Sequence, residues 1–505
     1  SKTVAEFFIR RPILAMGLSI LLVLIGIQTL LTLPIEQYPQ LSPPNIQVTT
    51  TYPGASAEVV EQSVATPIEQ QVNGVDNMLY MKSLNSSDGR MMLNVTFQVG
   101  VDMDNANMLT QNRVAQAESR LPSEVTAQGV TIKKVNPSIL MVIALYSPNG
   151  TYHSLFLNNY AVLNLRDALL RVPGIAQADV AGGSEYGMRI WLLPDKLAKL
   201  GLTPADVISA IRDQNTQAPA GQVGGAPSPA DQEFTLTVRA PGRLTTPEEF
   251  GDIIVRATED GRKVCVKDVA RIELGGEMYK SFGRFNGKEA GLLLIYLLPG
   301  ANQIESANGI YRAMEELKTY FPEDVDYAIS YDSTPAVSAS IEEIVHTLFE
   351  VIVLVVLVVF IFLQNARATL IPLLAIPVSI IGTFIFFPMM GFTINTLTMF
   401  GLVLAIGIVV DDAIVVVEAV MAHMERGESP REATRKAMRE VTGPIIGTSA
   451  IMVAVFVPVA FIGGLTGRMY APFALTIAIS VAISAFNALS LSPALSSLIL
   501  RPPQI

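Results

Sequence analysis

Six stretches of the chain are apolar for long enough to cross a bilayer of about 30 Å at about 1.5 Å per helical residue. They are 12–33, 343–363, 368–388, 394–420, 443–463 and 471–498. The first stands alone near the N-terminus, and the other five crowd into the last third. Between them lie some three hundred residues with a different rhythm. "MMLNVTFQV" alternates, with Met91, Leu93, Val95, Phe97 and Val99 on one face and Met92, Asn94, Thr96 and Gln98 on the other, which predicts a half-buried strand.

The insertion repeats one order of elements. "NIQVTTTYPG" (45–54) is a strand closed by a Pro-Gly turn. Ser56 caps a helix with Val60, Val64, Ile68 and Val72 along one face, and Gly74 closes it. Pro67 is discordant and predicts a kink. A second helix carries Val114, Ala117 and Leu121 and stops at Pro122. The order then recurs: a strand at 138–147, a helix at 155–172, strands at 186–193 and 290–298, a helix at 302–320 and a strand at 325–331. Two split-βαβ, ferredoxin-like units (βαββαβ) are expected. A strand-rich insert over roughly 183–275 interrupts the second, with Thr203-Pro204 opening a helix inside it. Its stretch "APAGQVGGAPSPADQ" (218–232) reads as a flexible surface loop or as an arm reaching a neighbouring subunit.

The chain has 505 residues, 50% of them hydrophobic, and a net charge of −10. That composition fits a membrane protein. No basic cluster suits phosphates, so nucleic acid is not an expected partner. Cys265 is the single cysteine, and His153, His346 and His423 are scattered, so neither a disulfide nor a metal site is expected. Lys and Arg cluster before span one (Lys2, Arg10, Arg11), between spans four and five (Arg426, Arg431, Arg435, Lys436, Arg439), and at Arg367 and Arg501. The loop after span three has none, and that after span five only Arg468. Cytoplasmic termini and an external insertion follow. Residues 35–335 hold 34 acidic and 24 basic residues, a balance that either serves solubility alone or tolerates cationic ligands and disfavours anionic ones.

"GIVVDDAIVVVE" (407–418) carries the chemistry: Asp411 and Asp412 lie in the middle of span four. Each ionised carboxylate there costs about 2.5–3.5 kcal/mol on the insertion scale. Adjacent carboxylates also repel, and spans two to six hold no Lys or Arg to neutralise them. A pair that gains and loses a proton is a natural relay, and each proton crossing the membrane releases about 2.3 kcal/mol per 100 mV. The other reading is a pair locked in interhelical hydrogen bonds. Glu418, two turns on, and Asn395, at the start of the span with Thr396 and Thr398, are candidate polar support, with hydrogen bonds across helices expected of the latter. The role of Glu350 in span two is open. No nucleophile–base set or GxxxxGK[ST] loop is present, so neither an enzyme nor an ATP-driven pump is expected.

"VDDAIVVVE", "FLQNARATLIPLLAIPVSIIGTF", "GFTINTLTMFGLVLAIG", "LPIEQYP" and "YPGASAEVVEQSVATPIEQQVNGVDNM" resemble the resistance–nodulation–division (RND) multidrug exporters, within them the hydrophobe/amphiphile efflux branch. The resemblance covers the whole chain. It implies a proton/drug antiporter in the Gram-negative inner membrane, with the proton as coupling ion and no other cofactor. It implies a homotrimer, a periplasmic adaptor and an outer-membrane channel as partners, and amphiphilic small molecules as cargo. Residues 1–34 would be the N-terminus and first span, 35–136 the first pore subdomain, and 137–182 with 276–335 the second. Residues 183–275 would be half of a docking domain, with 218–232 its protruding arm, and 336–505 spans two to six.

The resemblance departs in two places. Family members are about twice this length, and the lysine facing the acid pair comes from their second half. This chain resembles only the first half and is expected to need a second for transport. Family drug pockets are also rich in phenylalanine, whereas "NPSILMV" (136–142) and "ADVAGGS" (178–184) have no aromatic residue. Met92, Lys133, Ile139 and Ala181 fall at or near pocket-lining positions, so less stacking on cargo is expected. The rival expectations are a transporter of lipids or sterols and a non-transporting receptor or scaffold. The latter leaves the acid pair unexplained.

Overall fold

The computed structural model describes residues 3–502 apart from 40–42, 136–138, 182–184, 218, 230, 241, 278, 280 and 299. The subdomain junctions expected at 136–137 and 182–183 therefore lie outside the described residues. Among the described residues, six helices are long and apolar enough to cross a membrane. They are Pro12–Thr32, Thr334–Leu363, Ala366–Met390, Thr396–Glu425, Pro430–Phe461 and Gly464–Ile499, spans one to six below.

Two spans begin well before their apolar runs. Span two starts at Thr334, where Thr334 N donates to Asp332 Oδ1 (2.9 Å), so the helix follows directly from the strand before it. Span five absorbs the basic segment at 431–439 as its first turns. The hydropathy pattern marks where lipid begins, whereas the backbone hydrogen-bond ladder continues for as long as side chains cover it. Span two ends at Gln364, in the left-handed region (φ 48°), and the Asn365 side chain then caps span three by accepting from Arg367 N and Ala368 N.

Spans three, four and six form the interior of the bundle, and spans one, two and five turn most of their apolar surface outward. Span one crosses span three at two glycines. A Cβ on Gly26 would lie 2.4 Å from Ile381 O, and one on Gly382 would lie 2.1 Å from Leu22 Cδ2. Small residues bring two membrane helices this close.

The first sheet of the insertion comprises β1 (Asn45–Thr51), β2 (Met78–Asn85), β3 (Arg90–Phe97) and β4 (Thr131–Val135). It is antiparallel in the order β2-β3-β1-β4, the order a split βαβ unit produces. Met91, Leu93, Val95 and Phe97 are fully buried against Val60, Val64, Ile68 and Val72, as both periodicities predict. Pro67 does not break the helix. A π turn at Glu61–Ala65 precedes it, and the proline falls in the first turn of the helix Thr66–Val72, where no N–H is required.

The second sheet joins β5 (Ile139–Tyr146) and β6 (Ile175–Ala181) to the strands Lys288–Leu297 and Asp326–Asp332. Its order is β6, Lys288–Leu297, β5, Asp326–Asp332, with Gly283–Phe285 added beside the start of Lys288–Leu297. The intervening insert is mixed rather than strand-rich. It holds the helices Pro194–Lys199, Pro204–Gln214 and Pro247–Gly251 beside a ribbon of Tyr186–Leu192 on Ala270–Gly276. Thr203 and Thr246 each close a capping box, because Asp206 and Glu249 return a bond to the cap N–H. The Gly/Pro-rich loop closes on a short hairpin, Gln222–Val223 against Leu236–Thr237, and its described residues are largely exposed.

Candidate functional site inside the membrane bundle

Asp411 and Asp412 share a helix and not an environment. Neighbouring residues on an α-helix point about 100° apart. Asp412 is 9% exposed and turns into the seam between spans four and six, whereas Asp411 stands on the exposed face of span four. That face continues through Phe400, Leu404, Gly407, Val415 and Glu418. Of the two acids, Asp412 alone faces a helix interface within this chain.

Ser484 on span six donates to Asp412 Oδ2 at 2.8 Å. The same hydroxyl lies 3.1 Å from the carbonyl of Val409. One proton serves two acceptors, so the hydroxyl can turn from carboxylate to backbone when Asp412 changes charge. No Lys or Arg among the described residues pairs with either acid.

The polar seam extends beyond this contact. Thr383 on span three meets Ser480 on span six (Oγ1···Oγ 2.9 Å), and Asn487 Nδ2 donates to Ser379 Oγ (2.9 Å). Thr476, Ser480, Ser484 and Asn487 are all buried on one stripe of span six, and Ser379 and Thr383 face them. None of these six was singled out in the sequence. Their signal was legible, since hydroxyl residues recur at four-residue spacing within apolar runs and therefore share a helix face. In a bilayer such residues find partners on neighbouring helices.

The other candidates separate from this centre. Asn395 is the N-cap of span four: Oδ1 accepts from Leu397 N (3.0 Å) and Thr398 N (3.1 Å), and Nδ2 donates to Thr393 Oγ1 (3.0 Å). Its bonds are made within its own cap rather than across helices, and it precedes Asp411 by roughly 24 Å of helix at about 1.5 Å per residue. Glu418 is exposed on the Asp411 side. Glu350 is exposed on span two, in a shallow cavity with Glu342, Glu343, His346 and Thr347. His423, in the last turn of span four, is 5% exposed, with Glu440 3.2 Å from Nε2 and Glu428 3.5 Å from Nδ1.

Met92 and Lys133 share the helix-free face of the first sheet. Met92 pairs with Thr49 of β1, and Lys133 pairs with the next outward residue, Gln47. Ala181 pairs with Leu292 at the end of β6, and Ile139 opens β5 opposite Tyr296. Gln177 Nε2 donates to Lys134 O (2.7 Å), joining the two sheets edge to edge. Described cavities lie elsewhere, along span two and at the turn 147–153.

The AcrB/AcrD/AcrF family model matches residues 4–504. The chain belongs to the AcrB/AcrD/AcrF family. It is 44% identical over 498 residues to the multidrug resistance protein MdtF of Escherichia coli (strain K12), covering 98% of this chain and 48% of that protein. It is 46% identical over 499 residues to the multidrug export protein AcrF of the same strain, covering 99% and 48%. The toluene efflux pump membrane transporter TtgB of Pseudomonas putida is 43% identical over 499 residues, covering 99% and 47%. The AcrB/AcrD/AcrF chain described here thus spans about half the length of the relatives it matches. The RND resemblance read from the motifs is a family membership, and the family is one of transporters, not enzymes.

Proposed function

We propose that this chain is the proton-binding half of an antiporter that exports amphiphilic compounds, completed by a second half of similar design. The observation that carries this reading is Asp412, buried in a hydroxyl-lined seam and bonded to Ser484 on another span. A carboxylate held this way changes its interhelical bonds when it changes charge, and such a change can bias a helix rearrangement. Asp411, on the exposed face of span four, would meet the second half, which would supply the cation absent here. The proton is the coupling ion, and no other cofactor takes part.

In this reading the two split-βαβ sheets are ferredoxin-like pore subdomains in the periplasm, and 183–275 is half of a docking domain. The hairpin loop 218–232 is the arm reaching a neighbouring protomer in a homotrimer. The chain sits in a Gram-negative inner membrane with cytoplasmic termini, joined to an adaptor and an outer-membrane channel. Met92, Lys133, Ile139 and Ala181 contribute to the cargo path. Support comes from the relatives, two of which are named for multidrug resistance or export and one for toluene efflux.

The test is drug susceptibility of an efflux-deficient host carrying the full-length transporter. Asp411→Asn and Asp412→Asn should each abolish protection with protein level and trimer assembly intact. Full protection by both variants would sink the proton-relay reading.

A further inference from the structure

His423 is a buried ionisable group in which the acid pair has no part. It stands in the last turn of span four and is 5% exposed. Eleven residues separate it from Asp412. That is roughly 16 Å of helix, with the two side chains about 20° from sharing one face. Val416 and Val420, both fully buried, fill that face between them. His423 and Asp412 therefore belong to separate sites on one helix.

Both ring nitrogens of His423 face carboxylate oxygens. Nε2 lies 3.2 Å from Glu440 Oε1 on span five, and Nδ1 lies 3.5 Å from Glu428 Oε2 in the loop before that span. Nδ1 and Glu428 Oε2 are buried, and neither has a hydrogen-bond partner among the described residues. An ionised carboxylate only accepts, whereas a neutral imidazole carries one N–H and one lone pair. The imidazolium alone offers an N–H to both acids. Lys436 Nζ donates to the other oxygen of Glu428, Oε1, at 2.8 Å. That bond first, then the charges of Lys436 and His423, hold the Glu428 carboxyl below the ordinary carboxylate range, so it stays ionised where imidazoles titrate. The neighbouring charges turn elsewhere. Arg435 pairs with Glu432 (3.3 Å) and lies 3.7 Å from Glu6 of the N-terminal helix Val4–Arg10, where Glu6 also bonds Arg10 (3.0 Å). Glu425, Arg426, Arg431 and Arg439 are exposed, as are Arg367 and Arg501 at the adjoining helix ends. The end of span six, Leu491–Ile499, brings no titratable side chain.

We propose that His423, Glu428 and Glu440 form a second proton-binding site, in which the bound proton fastens the loop 426–429 and the first turns of span five to the end of span four. With the ring charged, both contacts are charge-assisted and the clasp is closed. As pH rises through the titration of the imidazole, one N–H is lost and a lone pair turns toward a carboxylate. The tie to one of the two acids then breaks, while Lys436 keeps its bond to Glu428. The helix that carries Asp412 is thus held at its far end according to the pH on that side, which is the cytoplasm in the orientation proposed above.

The test places a spin label at Ser429→Cys in the full-length transporter, with its other cysteines replaced, in lipid nanodiscs. Ser429 is exposed and its side chain makes no cap bond, so the label displaces none. Label mobility is followed from about pH 5.5 to about pH 8.5, across the range in which imidazoles titrate. The mobile component should grow in a single step as pH rises. His423→Gln should abolish that step, and Glu440→Gln should shrink it. No step with His423 in place, or the same step in His423→Gln, overturns the inference. If His423→Gln does not assemble, Glu440→Gln carries the test, and an unchanged step overturns it. No transport is measured, so the outcome is separate from that of the antiporter reading.

Discussion

Ser484 Oγ lies 2.8 Å from Asp412 Oδ2 and 3.1 Å from Val409 O, so a single hydroxyl proton on span six has both a carboxylate and a backbone carbonyl of span four within reach. Its other acceptor is the backbone carbonyl three residues before that carboxylate. The pair can therefore exchange one stable bond for another without opening a gap in the seam.

Ser484→Ala removes the donor and leaves the buried carboxylate without it. A hydrogen bond to a charged group is worth about 1.5–3 kcal/mol. Export should fall by roughly ten- to a hundredfold on that scale, and Ser484→Thr should recover most of it. Initial rates of dye efflux from preloaded cells check this; an undiminished rate in Ser484→Ala would remove the serine from the mechanism.

The outer contacts of the seam are expected to be structural. Thr383→Val and Asn487→Leu each delete one interhelical bond, to Ser480 and Ser379 respectively. Bonds of this kind are worth about 0.6–2 kcal/mol in membranes. Detergent-solubilised protein should unfold at lower temperature in each variant, with the Asp412–Ser484 contact unaffected. Equal thermal stability would show the bonds to be energetically silent.

Spans one and three should not tolerate bulk at their crossing. Gly26→Val places a Cβ where Ile381 O already stands, and Gly382→Val meets Leu22. Overpacking of a fitted contact costs about 1–3 kcal/mol. Gly17, with nothing within 4 Å of its Cβ position, is the control: Gly17→Val should be neutral there. Cysteine cross-linking between spans one and three would detect the separation.

Asp324 governs the turn at 147–151. Its carboxylate accepts from Ser147 Oγ (2.5 Å), Asn149 N (3.0 Å) and Thr151 N (3.2 Å). These bonds, the Ser147 hydroxyl first, hold its pKa well below the usual carboxylate range. A depressed carboxylate stabilises the folded turn above the unfolded value and loses that contribution as pH falls through the folded one. Asp324→Asn should therefore speed amide exchange at 149–151 at neutral pH, with the difference from wild type shrinking only in strong acid. A difference independent of pH would show that the carboxylate charge is not involved.

Much of this architecture is legible in the chain because it depends on local period. Met91, Leu93, Val95 and Phe97 are buried by a period of two, and Val60, Val64, Ile68 and Val72 by a helical one. Thr203-Pro204 opens its helix through neighbours three residues away, which any fold would leave in reach. Beside Pro67 the helix widens into a π turn at Glu61–Ala65 and continues as Thr66–Val72, a local irregularity at the position the proline marks.

Asp411 and Asp412 mark the boundary of that legibility. Composition alone places two acids in an apolar span and requires a reason for them. It treats them as a pair, because one position in sequence is no distance at all. Packing separates them: span six covers one side of span four, so Asp412 finds Ser484, seventy-two residues on, while Asp411 faces away. Which side is covered is a property of how three helices meet, carried by Ser379, Thr383, Ser480 and Asn487 together. The periodic burial of each element was therefore determined by the sequence itself. The partner of each buried charge was decided only in the tertiary structure, because a helix fixes the direction of its side chains but not what stands opposite them.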